Sequence, residues 1–359
     1  MKRRYYFWII ALGCFMLWPV QVFALSEKPE IQLPSDITQL PETEDQAGMQ
    51  LLSGLSELWN ELCVQAGGVV RQYLSSAVLL LCVVLICALA EDCCTAAGKK
   101  DGLPMISAAG AAGVTVIALG NLHDMIAVGV DTIAALDTYS ETLLPTLMAA
   151  VAAGGGAVSA GVRHIAAVFF ADILITLIDD LLLPLVYVYA AASCADAFLP
   201  GRQLQNIAKA ISKGITWLLS GLLLLYTGYL TLAGMSASTA DAAAVQAVRA
   251  AAGALPVVGS IISDAAGTVL SGAAMMKSSI GIAGTLGVLW LCLMPVLRLT
   301  VRYLLYKATA FLAGTLGSSS FTVLIDNLGS AFGLVLGMTG SCAVLLLIST
   351  ITSVMVVTG

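Results

Sequence analysis

The run ITWLLSGLLLLYTGYLTLAG, residues 215–234, places twenty positions in a row without one charged side chain. A helix rises 1.5 Å per residue, so this length reaches about 30 Å, the thickness of a bilayer's hydrocarbon core. Lipid offers no partner to backbone N–H and C=O groups, so such a run crosses as a helix that bonds to itself. Five further apolar runs follow the same logic with softer edges, at about 73–90, 104–120, 165–192, 281–297 and 328–357. Only 11% of the chain is charged against 59% hydrophobic, too little charge to clothe a water-soluble body of 359 residues; soluble domains carry about 25%. The expected class is all-α: a polytopic helical membrane protein with about six spanning helices, plus interfacial or re-entrant helical hairpins.

Ahead of the first span lies a different kind of sequence. Lys2, Arg3 and Arg4 precede the apolar stretch Phe7 to Val20 and the small-residue site Val22-Phe23-Ala24, the layout of a signal peptide over residues 1–24. Residues 25–48 are acidic and proline-bearing, which predicts a disordered linker outside the cytoplasm. The multi-span membrane domain then occupies 49–359, opening with MQLLSGLSELWNELC, whose Leu51, Leu55, Leu58, Trp59 and Leu62 recur at helical spacing. That pattern predicts a helix lying at the membrane surface. Eight of the 22 acidic residues fall between Glu27 and Glu61 in a chain of net charge −6, which excludes a nucleic-acid partner; that role needs a basic patch.

Loop charges set the orientation. With the linker translocated, Lys99, Lys100, Arg202, Lys209, Lys213, Arg298, Arg302 and Lys307 fall on the cytoplasmic side, and Lys28, Arg71, Arg163, Arg249 and Lys277 on the other. The bias runs in the positive-inside direction.

Two apolar stretches are interrupted. ETLLPTLMAAVAAGGGAVSAG breaks at Gly154–Gly156, and each half is too short to cross, so a re-entrant or interfacial hairpin is expected. LPVVGSIISDAAGTVLSGAAMMKSSIGI, residues 255–282, is divided by Asp264 and Lys277. Val258, Ile262, Ala265, Val269, Ala273, Met276 and Ile280 repeat at steps of three or four, with Ser260, Asp264, Gly267, Ser271 and Ser278 on the other face. With the helix former ADAAAVQAVRAAAGA before it, this reads as an outer helical hairpin over 241–280.

Catalytic signatures are missing. AAGKK at 96–100 lacks the spacing and hydroxyl of a phosphate-binding loop, AVSAG around Ser159 lacks the first glycine of a nucleophile elbow, and His123 and His164 stand alone. No cofactor or metal site is expected. Nine cysteines (14, 63, 82, 87, 93, 94, 194, 292, 342) form no C-x-x-C pair. ATP-driven work would need an ATPase on another chain.

The acids in ADILITLIDDLLLP are the first functional candidates. Asp172 and Asp179 lie two turns apart on one face, Asp180 points elsewhere, and Pro184 can break the helix. A carboxylate at mid-bilayer costs roughly 2.5–3.5 kcal/mol on insertion scales. The acids therefore serve an ion- or proton-linked path, or sit at a wet boundary where the helix breaks. The second reading is preferred, because no partner charge within the membrane is evident. Gly329, Gly333, Gly337 and Ser341 recur every fourth position in the last span, a face that lets a second helix approach closely.

RAAAGALPVVGSIISDAAGTVLSGAAMMKSSIG, together with ETLLPTLMAAVAAGGGAVSAG, resembles the stage III sporulation protein AE family of endospore-forming bacteria. The resemblance covers most of the chain from about residue 49. It implies a non-enzymatic subunit in the mother-cell membrane around the forespore. The implied partners are the other stage III A-operon proteins and a forespore membrane protein, joined in a channel-like, secretion-related complex; membrane lipid is the remaining contact. No catalytic residue carries over. In that setting the hairpin face bearing Pro256, Gly259, Asp264, Gly267 and Ser271 is the candidate contact for partner subunits. The alternative is a self-sufficient ion- or solute-coupled transporter that uses Asp172, Asp179 and Asp180.

Overall fold

A computed structural model describes residues 44–96, 103–198, 204–253, 259–315 and 319–355, all within one compact unit, Asp36–Gly359. The expected signal peptide and nearly all of the expected linker lie outside the described residues. What is described is helical, with no strand among the described residues. The elements in order are α1 (Glu44–Ala96), α2 (Leu103–Ala153), α3 (Ala157–Leu177), a π-helical segment (Ile178–Leu182), α4 (Leu183–Phe198), α5 (Gln205–Gly253), α6 (Gly259–Thr315) and α7 (Ser319–Met355).

Length is where structure and expectation part. With 57 residues, α6 extends about 85 Å, and α1, α2 and α5 come close to it. A hydrocarbon core takes up about 30 Å of that. The elements expected as separate surface pieces are therefore the ends of long helices. The amphipathic stretch 49–63 is continuous with the first span inside α1. The weak span 104–120 and the first limb of the expected hairpin fuse into α2, and the second limb opens α3. The expected hairpin over 241–280 is likewise no separate element. Its first limb is the end of α5 and its second the beginning of α6, and residues 254–258 between them, Pro256 included, lie outside the described residues.

Why the chain stays helical so far past a membrane's thickness is visible in the sequence. Ala and Leu dominate, both good helix formers. The prolines fall where they disturb least or are absorbed: Pro104 in the first turn of α2, Pro145 near its end, and Pro295 within α6. The break at Gly154–Gly156 lies where expected. Gly155 takes φ 91°, a left-handed conformation that side-chain-bearing residues rarely adopt, and Gly156 N–H reaches back to the Val151 carbonyl at 3.1 Å.

Five helices contain stretches long and apolar enough to cross a membrane: Ser53–Ala96, Met105–Ala153, Gln205–Ala233, Ser279–Thr315 and Phe321–Ser353. The sixth expected span, 165–192, is distributed over α3, the π segment and α4. Of the most apolar stretch of α7, 61% of residues are buried, against 22–33% in the other four, so α7 is the axis of the bundle. It packs on every helix from α2 to α6, and most extensively on α6. Its neighbours come close because small residues face large ones. A methyl group added to Gly129 of α2 would stand 2.7 Å from Val335, and one added to Gly110 would stand 2.7 Å from the Phe321 ring.

Candidate functional site

The three acids occupy a local irregularity. Leu183 N–H bonds to the Ile178 carbonyl, five residues back, and this widens one turn around Asp179 and Asp180. Pro184 explains the widening. It has no N–H for the Asp180 carbonyl, and in regular α geometry its ring would collide with that oxygen. The helix therefore bulges where a break is expected, and continues as α4. Single π turns of this kind gather at functional sites. Asp172, Asp179 and Asp180 are all exposed on the outside of the bundle, so the face that separates Asp180 from the other two does not hide any of them. A half-open cavity of about 20 Å³, enough for a water, lies between α2, α3 and α7, bordered by Asp137, Ser140, Leu174 and Cys342. None of the three acids borders it.

In the glycine series of α7, Gly329 and Gly333 face α6. An added methyl group would meet Tyr306 Cβ at 3.1 Å in the first case and the Tyr303 ring at 3.1 Å in the second. Gly337 turns toward Leu219 of α5 with room at 3.9 Å, and the buried Ser341 donates to the Gly337 carbonyl at 2.7 Å. Of the candidate contact residues of the hairpin, Gly259, Asp264, Gly267 and Ser271 lie in the first turns of α6. Pro256 lies outside the described residues.

The sequence reading missed the charges that the bundle takes inside. Arg298, Arg302 and Lys307 are expected in a cytoplasmic loop, yet α6 runs through all three. Arg302 is buried at 5% exposure. Its Nη1 donates to the Asn121 carbonyl at 2.9 Å, and its guanidinium lies 4.3 Å from the Tyr73 ring centroid and 6.0 Å from that of Phe332. Asn121 Nδ2 donates in turn to Tyr306 Oη at 2.9 Å. One turn further, Lys307 Nζ donates to Asp326 Oδ1 at 2.7 Å and to Ser330 Oγ at 2.9 Å, fastening α6 to α7. A signal for this was present. Leu299, Tyr306, Ala310 and Ala313 continue the apolar helical period straight through the basic residues.

At the Gly154–Gly156 end, Asp241 of α5 is 7% exposed and caps a helix in a distant part of the chain. Its Oδ1 accepts from Val158 N–H and its Oδ2 from Ser159 N–H, both at 2.9 Å. A carboxylate at a helix start satisfies free N–H groups and meets the positive end of the helix dipole. Nearby, Arg163 of α3 is buried at 8% exposure. At the opposite end Asp196 accepts from Leu204 N–H at 2.9 Å, closing the turn before α5. Among the described residues no group of three His, Cys, Asp or Glu side chains is placed to hold a metal ion.

Comparison with known proteins adds the following. The family model for stage III sporulation protein AE matches residues 46–359. Stage III sporulation protein AE of Bacillus subtilis (strain 168) is 24% identical over 212 residues, which span 59% of this chain and 53% of that protein. The match thus spans about half the length of this curated relative. No solved structure matches.

Proposed function

The chain belongs to the stage III sporulation protein AE family, and from that premise we propose that it serves as a non-enzymatic membrane subunit of a channel-like sporulation complex. In this reading it resides in the mother-cell membrane around the forespore. It assembles with the other stage III A-operon proteins and a forespore membrane partner, and any ATPase is a separate chain. A translocated N-terminal segment, and partner contact through the end of α5 and the beginning of α6 over 241–280, complete the arrangement.

The observation that carries the reading is the exposure of Asp172, Asp179 and Asp180 on the outside of a membrane bundle. Facing lipid, each carboxylate would cost roughly 2.5–3.5 kcal/mol near mid-bilayer. Facing another chain, or water held between chains, the same groups become recognition elements. A transporter complete in itself would instead place them on the walls of a cavity, and the one between α2, α3 and α7 is lined by other residues.

The test uses tagged full-length protein, extracted with mild detergent from sporulating cells and run on native gels. Parent protein is expected in a large assembly with the operon's other products. Asp172→Asn with Asp179→Asn is expected to leave monomer at normal abundance while that assembly is lost. Parent protein running alone, or solute flux by the pure protein in liposomes, would remove the proposal and favour the transporter.

A further inference from the structure

Arg163 presents a buried cation that no described residue neutralises. The ion pair recorded among the described residues joins Lys307 to Asp326, and Arg163 takes part in none. Its Nε is sealed from solvent without a hydrogen-bond partner. The η nitrogens make no hydrogen bond to a described residue, and the residue keeps 8% of its surface exposed. Behind it, Tyr226 Oη and Ser349 Oγ are buried and approach one another without a hydrogen bond of good geometry. A charge removed from water needs a counter-charge or hydrogen bonds to remain there. Among the described residues the helices supply neither.

The surroundings define the missing partner. Arg163 and Phe170 are seven residues apart and share the α3 face that meets α5, where Phe170 packs on Tyr226 and Tyr229 at centroid distances of 5.3 and 6.1 Å. Arg163 is six residues into α3, about 9 Å from its capped start. Further in, the outer surface of the two helices is greasy: Ile165, Val168 and Phe169 on α3, and Leu225 and Leu232 on α5, are all exposed. A fixed cation at the helix end with an apolar slope leading inward matches a molecule that has an anionic head and hydrocarbon tails. We propose that Arg163 binds the phosphate of an anionic phospholipid, whose chains lie along the α3–α5 surface. A guanidinium presents paired N–H donors that suit phosphate oxygens, and basic pockets between membrane helices hold lipid head groups in this manner.

The experiment titrates detergent-purified full-length protein with short-chain phosphatidylglycerol and, separately, with inorganic phosphate, reading the thermal unfolding midpoint. Native mass spectrometry counts retained lipid. Phosphatidylglycerol is expected to raise the midpoint of the parent protein, and inorganic phosphate at the same concentration to leave it unchanged. Arg163→Gln should weaken lipid binding by about tenfold or more, the loss of a charge-assisted contact. Arg163→Lys keeps the charge without the paired donors, and its affinity should fall between the two. Unchanged affinity in Arg163→Gln overturns the proposal. Should Arg163→Gln not fold, an Arg163→Lys affinity equal to the parent's overturns it as well. An equal response to inorganic phosphate would make the site one for a water-soluble anion and would exclude the lipid.

Discussion

Arg302 and Arg163 make the useful pair. Both are arginines on long helices, both are more than nine-tenths buried, and both have an unpartnered Nε. Around Arg302 the bundle built a box: a carbonyl from α2, a tyrosine face from α1, a phenylalanine from α7, and an asparagine–tyrosine bond behind it. Near Arg163 the described hydroxyls, Tyr226 Oη and Ser349 Oγ, make no hydrogen bond of good geometry. The same residue type therefore plays two parts. Arg302 ties three helices to α6 and belongs to the architecture, whereas Arg163 has no hydrogen-bond or ion-pair partner among the described residues. Burial alone does not separate a structural cation from a binding one; the count of partners does.

The largest break in this comparison should come from Arg302→Ala. It removes a side chain packed between aromatic rings, leaves a cavity and frees the Asn121 carbonyl of its extra donor. We expect a loss of about 2–4 kcal/mol. Arg163→Ala in the same detergent, stripped of lipid, should lose less than about 1 kcal/mol, since no described bond is broken. Unfolding followed by circular dichroism measures both. Equal losses would show that Arg163 is as architectural as Arg302.

Asp241→Asn comes next, because it tests whether the start of α3 is firmly framed. The amide keeps one acceptor oxygen but turns an N–H donor toward the second backbone N–H. A loss of about 1–2 kcal/mol is expected, in the range of a helix N-cap. Amide hydrogen exchange at Val158 and Ser159 should accelerate with it. Unaltered exchange there would mean that the cap does not hold α3 in solution.

The sequence revealed the frame and missed the fittings, for a physical reason. Runs such as 215–234 announce themselves because lipid tolerates only a self-bonded helix, and Gly154–Gly156 marks its turn because Gly155 must adopt a positive φ. Helix length is illegible in the sequence, because charged residues read locally as boundaries. Arg302 lies inside α6 because Tyr73, Asn121 and Phe332 receive it, and those residues come from three other helices. The Asp241 cap joins positions 83 residues apart, and nothing local in ADAAAVQAVRA points to Val158. The π turn stands between these cases. Pro184 was legible as a disturbance, but whether it breaks or bulges the helix depends on packing, and Ile178 and Leu182, both fully buried, hold the chain on course.

Tyr306→Phe and Tyr226→Phe carry the comparison down to a single oxygen. Both tyrosines are buried to within 1% of completely. Tyr306 Oη accepts from Asn121 Nδ2, so its removal strands a donor beside Arg302, and we expect a loss of about 0.5–1 kcal/mol, as for hydrogen bonds between membrane helices. Tyr226 Oη makes no bond of good geometry, so the same deletion removes a buried polar atom that was already unpaired. Such a change is close to neutral or stabilising, because the folded state no longer holds a desolvated hydroxyl. The expected shift is within about 0.5 kcal/mol of the parent, with the sign favouring the variant. A loss from Tyr226→Phe equal to that from Tyr306→Phe would show that the hydroxyl is bonded in solution, through Ser349 or a bridging water. The hydroxyls near Arg163 would then be as tightly bonded as the box around Arg302.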